Sequence, residues 1–303
     1  MLKDRNKFIT ILLLLLTLAY VFFSFLLHVE VTALVVGRLK SITGDFVPRN
    51  YSLEASIVLV LIIVCYVLYR AIKGNNRVYT FLFIYLYLIF VYYFYRVFSL
   101  HAVEYVHFVQ YFGLVFLIGW TFDPGRNHFY YNRILFAGVM IGILDEVFQF
   151  YITAPGHKYL DFNDFFLNTI GTIGGLLMYY GFHRLPLNIA ATKQFYKTKR
   201  FIFTAVLVSV ILIMVTTGYI QKTPPVPIAK AITEMDGKTI IFLERIPGWL
   251  GHWRAHFVSG YFYNLNPLES FVLIGIAVGL FSLFDPRMLG KFRTGKKIAK
   301  YLK

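Results

Sequence analysis

Long apolar runs alternate with short polar segments along most of this 303-residue chain. A helix needs about 20 predominantly apolar residues to cross a bilayer, so each long run is a candidate transmembrane helix. The pattern predicts helices at residues 8–27, 54–70, 78–98, 104–122, 132–153, 163–182, 201–221 and 268–284. We therefore expect an all-α, polytopic membrane protein with about eight transmembrane helices.

The first apolar run follows Lys3, Arg5 and Lys7, which is also the arrangement of a secretory signal peptide. The run is too long for a signal peptide, however, and the aromatic residues Phe22 and Phe23 occupy the place of a small-residue cleavage site. We interpret the run as a retained signal anchor.

Composition and charge support a membrane location and indicate an orientation. The chain is 58% hydrophobic and 15% charged, which is too apolar for an ordinary soluble domain. If both termini are cytoplasmic, most of the 30 lysines and arginines fall in cytoplasmic segments, as the positive-inside rule requires. The net charge of +15 then belongs to a cytoplasmic face and a basic tail suited to anionic membrane lipid. It predicts no nucleic-acid partner.

Polar and ionisable residues interrupt the fourth, fifth and sixth predicted helices at the ends that this orientation places outside. These residues are Glu104, His107 and Tyr111 on the fourth helix, Asp145, Glu146 and Gln149 on the fifth, and Asp161, Asp164 and Asn168 on the sixth. Such groups are costly within a membrane and usually mark a functional site. We expect His107, Glu146, Asp164 and Asn168 to share one pocket at the outer surface.

Glycine pairs offer a reason for these helices to approach closely. Gly138 and Gly142 on the fifth helix, and Gly171 and Gly175 on the sixth, each follow the small-xxx-small pattern of packed transmembrane helices. Because the two helices are antiparallel and joined by a short loop, we expect glycines to meet glycines.

Several of these residues also have purely structural interpretations. Asp161 would cap the sixth helix by accepting a backbone N–H hydrogen bond. Asp145 would point to solvent from a helix end, Asn168 would make an interhelical hydrogen bond, and His107 would be an interfacial histidine. We give more weight to the joint arrangement than to any single residue.

In this order, the polar residues resemble the VanZ-like family of bacterial membrane proteins, which is named for a teicoplanin-resistance protein. The matching positions are Glu104, His107-Phe108, Tyr111, Asp145-Glu146, Gln149, Pro155-Gly156, Lys158, Asp161, Asp164, Asn168 and Gly171. The family usually has arginine at the position of Lys158, and Asp-Lys at that of Glu104-Tyr105. The resemblance implies the bacterial cytoplasmic membrane, a cell-envelope role and tolerance of glycopeptides such as teicoplanin, but no particular reaction.

The chain then divides into three regions. Residues 1–99 hold the first three helices, and residues 100–185 form the VanZ-like core with helices four to six. Residues 186–303 hold the last two helices, a basic cytoplasmic tail and an extracytoplasmic connection, 222–267, which we expect to cover the site.

Three functions remain open at this point. As an enzyme on a lipid or lipid-linked envelope substrate, the protein would use Glu146 as general base, His107 as proton relay and Glu104 to orient the histidine. The predicted substrate-binding residues are Tyr111, Gln149, Lys158, Asp161, Asp164 and Asn168. The alternatives are a non-catalytic binder of an envelope ligand, and a lipid or solute transporter, although mainly apolar residues lie below the polar ends.

No cofactor is identified from the residue pattern. The mixture of histidine and carboxylates is compatible with a divalent ion. No two histidines have the spacing of metal ligands, however, so no metal is predicted.

Overall fold

A computed structural model describes most of the predicted helices. The residues that it describes are 8–25, part of 58–69, 77–98, 104–126, 130–152, 159–180, 199–224, 231–243, 252–256 and 260–285. Within these ranges the chain is mostly helical, which confirms the predicted helical class.

The helix bounds agree with the apolar pattern to within a few residues. The helices are α1 (Phe8–Phe25), α2 (the described residues of 58–69), α3 (Arg77–Tyr93), α4 (Glu104–Phe122), α5 (Tyr131–Ile152), α6 (Phe162–Tyr180), α7 (Lys199–Thr216) and α8 (Pro267–Ser282). A π-helical turn, Phe94–Phe98, follows α3 directly.

Two helices of the described part of the chain are long and apolar enough to cross a membrane. They are Phe8–Phe25 and Tyr131–Tyr151. Shorter apolar helical segments occur at Leu82–Tyr93, Val106–Phe122 and Pro267–Ser282.

Helix α6 forms the centre of the fold, because it contacts α3, α4, α5 and α8. All of its residues except Met178 are buried. Its glycine face packs against the backbone of α4. A Cβ added at Gly171 would lie 2.7 Å from Phe108 O, and one added at Gly175 would lie 2.5 Å from Phe112 O. These glycines therefore allow α6 to approach α4.

The expectation that glycines of α5 meet glycines of α6 is wrong. Gly142 lies against Asn168, and Gly138 lies against Thr172 and Val115. The small residues of α5 therefore make room for polar side chains of α6. The close backbone approach occurs between α6 and α4 instead. The sequence of α6 does not show which of its neighbouring helices the glycines will face.

The connection 222–267 and the last residues of the predicted seventh helix, 201–221, contain strands, which the all-α prediction missed. One sheet has the order β1 (Ile220–Gln221), β3 (Lys238–Phe242) and β2 (Ile232–Met235), with β1 parallel and β2 antiparallel to β3. The other pairs β4 (Trp253–His256) with β5 (Gly260–Tyr263) in antiparallel register.

The β2–β3 hairpin turns through Asp236 and Gly237, whose φ angles are 53° and 70°. Positive φ at both central residues is the geometry of a type I′ turn, for which Asp-Gly is a favoured pair. Phe242 of this sheet is buried in a small cluster with Phe150, at the end of α5, and with Tyr159. The first sheet therefore covers the end of α5 that carries the polar residues.

Candidate functional site at the joined ends of α4, α5 and α6

A histidine lies between carboxylates from two other helices. His107 of α4 has its Nδ1 3.4 Å from Glu146 Oε1 of α5, and its Nε2 3.8 Å from Asp164 Oδ2 of α6. The Asn168 Nδ2 donates a hydrogen bond to the same Glu146 Oε1 across 3.3 Å. All four side chains are buried, with at most 6% of each residue exposed. The structure thus brings together the four residues that the sequence assigns to one pocket.

Local helix geometry explains why these side chains converge. Gly142 and Glu146 are four residues apart and therefore lie on the same face of α5. The missing side chain at Gly142 leaves space for Asn168, whose Nδ2 donates to Gly142 O across 3.3 Å. That contact fixes the carboxamide at the height where it also reaches Glu146.

Asp145 is the centre of a second group of contacts. Its Oδ2 accepts hydrogen bonds from the Tyr111 hydroxyl at 2.8 Å and from Gln110 Nε2 at 3.5 Å, and its Oδ1 accepts one from Gln149 Nε2 at 3.2 Å. The residue is fully buried, so the alternative that it points to solvent is wrong. Tyr111 and Gln149 both donate hydrogen bonds to this carboxylate. Their predicted role in substrate binding stays a prediction.

The hydrogen-bonded group of Asp145 with Gln110 was not predicted from the sequence. Two signals were available. Asp145 and Gln149 are four residues apart, a spacing at which helical side chains meet. Gln110 is adjacent to Tyr111 near the polar end of α4.

Asp161 has the structural role that the capping alternative assigned to it. Its Oδ1 accepts a hydrogen bond of 3.0 Å from the backbone N–H of Asn163, in the first turn of α6. A carboxylate at this position satisfies a helix N–H that has no partner within the helix.

Asn163 was not predicted, and it ties α6 to two distant segments. Its Nδ2 donates to Phe98 O at 3.1 Å and to Tyr263 O at 3.0 Å, and its Oδ1 accepts from the Leu265 N–H at 2.8 Å. The partners lie 65 to 102 residues away in sequence. Such contacts cannot be predicted from local spacing.

Other predicted site residues fall outside the described part of the chain. Lys158 and the Pro155-Gly156 pair are among them, as is the side chain of Glu104, although Glu104 itself begins α4. Their predicted roles stay predictions.

Ligand-type atoms of three residues lie close together in this site. His107, Asp145 and Glu146 each offer one atom, and these atoms lie within 4.8 Å of one another. Such a set of one imidazole and two carboxylates is chemically able to hold a metal ion.

Comparisons with models of known protein families, with curated proteins and with solved structures give no match. A function for this protein is therefore inferred from the geometry of the site and from the pattern of residues that forms it.

Proposed function

We propose that the chain is a multi-pass protein of the bacterial cytoplasmic membrane, with about eight transmembrane helices and both termini in the cytoplasm. The outer faces of its helices support this location, because they expose large apolar side chains. Leu15 of α1 is 58% exposed, Ile213 of α7 60% and Leu268 of α8 72%. Apolar surface of this kind is characteristic of contact with lipid.

Cysteine labelling tests the orientation. The exposed Cys65 is first replaced by serine, and Glu234→Cys or Gly125→Cys is then introduced at an exposed position. We expect a membrane-impermeant maleimide to label Glu234→Cys in intact cells and to label Gly125→Cys only after permeabilisation. Labelling of both variants, or of Gly125→Cys alone, in intact cells contradicts the orientation.

Within this protein, we propose an enzyme that acts on a lipid or lipid-linked envelope substrate at the outer leaflet. The observation that carries the proposal is the buried contact of His107 with Glu146, 3.4 Å between Nδ1 and Oε1. Ionisable groups at such depth are costly, and they are retained mainly where they act on a substrate or ion. An imidazole in contact with a carboxylate is a common means of activating a hydroxyl or a water molecule.

The neighbouring residues have distinct roles in this proposal. Asp164 orients the imidazole from its other nitrogen, 3.8 Å away. Asn168 binds a polar group of the substrate, because its Oδ1 is buried and has no hydrogen-bond partner among the described residues. Lys158 attracts an anionic headgroup to the outer surface, as its place in the sequence predicts. The VanZ-like residue pattern supports an envelope substrate and glycopeptide tolerance.

The described interior below the site favours surface chemistry over transport. Towards the other end of α4 and α6, Thr172 is followed by buried apolar side chains, among them Leu114, Ile173 and Leu176. The helix rises by about 10 Å between Thr172 and Tyr179. A polar solute would have to pass this apolar layer, so a site open to one leaflet fits the arrangement better.

Profiling of lipids and peptidoglycan precursors tests the proposed activity. Cells that lack the gene are compared with cells that carry the wild type, Glu146→Gln, His107→Ala or Glu234→Gln at equal protein level. We expect a lipid species to change on deletion and to be restored by the wild type and Glu234→Gln only, because Glu146→Gln keeps the shape but removes the carboxylate. Full restoration of the lipid by Glu146→Gln contradicts the proposal. If deletion leaves the lipid profile unchanged and the protein retains a labelled glycopeptide, the protein is a binder instead.

A further inference from the structure

We propose that His107, Asp145 and Glu146 bind one divalent transition-metal cation. Their ligand atoms lie within 4.8 Å of one another. Ligands about 2.1 Å from a single ion are separated by up to about 4.2 Å. The three side chains would therefore have to rotate to bring all their ligand atoms onto one ion. Two ligands are consecutive residues of α5, and the third comes from α4.

The side chains that contact the three proposed ligands are placed like those that support the ligands of known metal sites. A metal-bound histidine usually donates its other ring N–H to a carboxylate or carbonyl. The His107 imidazole has Glu146 at Nδ1 and Asp164 at Nε2, at 3.4 and 3.8 Å. Metal on the Nδ1 side would leave Asp164 facing Nε2, where a closer approach than 3.8 Å would be needed for this hydrogen bond.

Asp145 is supported in the same way. Ligating carboxylates are themselves held by hydrogen bonds. Tyr111 and Gln110 hold Asp145 Oδ2, and Gln149 holds Oδ1. A carboxylate oxygen has more than one acceptor position, so these donors orient the group without excluding a cation.

Asn168 provides an independent indication of a ligand. Its Oδ1 has no hydrogen-bond partner in the described part of the chain, and the residue is fully buried. The opposite orientation of the carboxamide is unfavourable. It would place Oδ1 against two acceptors, Gly142 O and Glu146 Oε1, which now accept hydrogen bonds from Nδ2. The oxygen therefore remains an acceptor beside Glu146. A cation or a water bound to it would satisfy that acceptor.

The donor set indicates the kind of ion. Calcium and magnesium prefer sites made only of oxygen, whereas an imidazole favours transition metals and carboxylates favour Mn²⁺ among them. One imidazole with carboxylate and carboxamide oxygens therefore fits Mn²⁺ or Zn²⁺. The positive charge would also offset the repulsion between neighbouring buried carboxylates. A catalytic role for the ion rests on the proposed function, whereas its binding does not.

Manganese titration of the full-length protein in lipid nanodiscs tests this site. After treatment with a chelator, we expect saturable binding of one Mn²⁺ per chain, measured by electron paramagnetic resonance. Pulsed measurements on the unmodified protein should show coupling to an imidazole nitrogen, which His107→Gln abolishes. We expect Asp164→Asn to weaken binding by about 10–100-fold, as for outer-shell partners in other sites. Asp145→Asn and Glu146→Gln should weaken it more, and the exposed control Glu234→Gln should not.

Three results would overturn the site. The first is the absence of saturable binding, and the second is the absence of nitrogen coupling in the unmodified protein. The third is equal binding in Glu146→Gln and Glu234→Gln, which would indicate an adventitious ion only. The second does not require any variant to fold. A lipid change that depends on Glu146 in a protein that binds no Mn²⁺ would remove the metal site and leave the proposed function. Mn²⁺ binding with an unchanged lipid profile would leave the metal site and contradict the proposed function.

Discussion

The Tyr111 hydroxyl donates a hydrogen bond to Asp145 Oδ2 across 2.8 Å and thereby joins α4 to α5. Both residues are fully buried. A buried carboxylate is tolerated only where donors replace its water, so this contact is part of the structural support of the site. Asp145 consequently holds the helices together at the height of His107 and Glu146.

Replacement of Tyr111 by phenylalanine should destabilise the protein by about 1.5–3 kcal/mol, because it removes a hydrogen bond to a charged group. The free energy of unfolding in mixed micelles measures the effect. Tyr85→Phe is the control, since Tyr85 is 65% exposed and its substitution should change stability by less than about 0.5 kcal/mol. Equal effects of the two variants would show that the Tyr111 contact contributes nothing.

Alanine at Gly175 should be among the more damaging small substitutions. The added Cβ would lie 2.5 Å from Phe112 O, a backbone atom of α4 that cannot move without the helix. We expect a loss of about 1–3 kcal/mol, as for overpacking elsewhere.

Gly279→Ala on α8 is the matched control, since an added Cβ there has no atom within 4 Å. It should be neutral or stabilise by up to about 1 kcal/mol through helix propensity. The same unfolding measurement compares the two alanine variants. Loss of stability in Gly279→Ala alone would contradict the packing described for α4 and α6.

Substitution of Asn163 should separate the strand connection from α6. Asn163→Ala removes one acceptor and two donor contacts, and we expect a loss of about 2–4 kcal/mol. Asn163→Asp should be worse, because it retains the acceptor for the Leu265 N–H but turns an oxygen towards Phe98 O and Tyr263 O. Unfolding and the rate of proteolysis within 222–267 report both effects. Better stability of Asn163→Asp than of Asn163→Ala would contradict the donor contacts.

A side chain at Gly237, in the turn between β2 and β3, should be destabilising because of the backbone conformation alone. An added Cβ at Gly237 meets no atom within 4 Å, but the φ of 70° is unfavourable for other residues. We expect Gly237→Ala to destabilise the hairpin by about 1–2 kcal/mol and to speed its proteolysis. Asp236→Asn should be tolerated, because asparagine adopts positive φ more readily than most residues. Equal proteolysis of the two variants would rule out the turn geometry.

The sequence alone was enough to locate the helices and to group the polar residues. Apolar runs give the bounds of α4 and α6 to within about two residues, since length and hydrophobicity are local properties. Order along the chain also brings His107, Glu146 and Asn168 together, because antiparallel neighbours joined by short loops must align their ends.

The β2–β3 hairpin could also have been predicted. β-branched residues such as Ile232, Thr239 and Ile240 flank Asp236-Gly237, which is a favoured pair for a two-residue hairpin turn. The all-α prediction follows from the high apolar content of the whole chain, which outweighs this local turn pattern.

Other features depended on which helices become neighbours in three dimensions. The same glycine spacing on α5 and α6 is compatible with either partner, and packing selects Phe108 and Phe112 of α4 for Gly171 and Gly175. The hydrogen-bond partners of Asn163 lie 65 to 102 residues away along the chain, so no local sequence pattern predicts these contacts. Periodicity assigns a side chain to a face of its helix, but the atoms that this face meets depend on the packing of the whole fold.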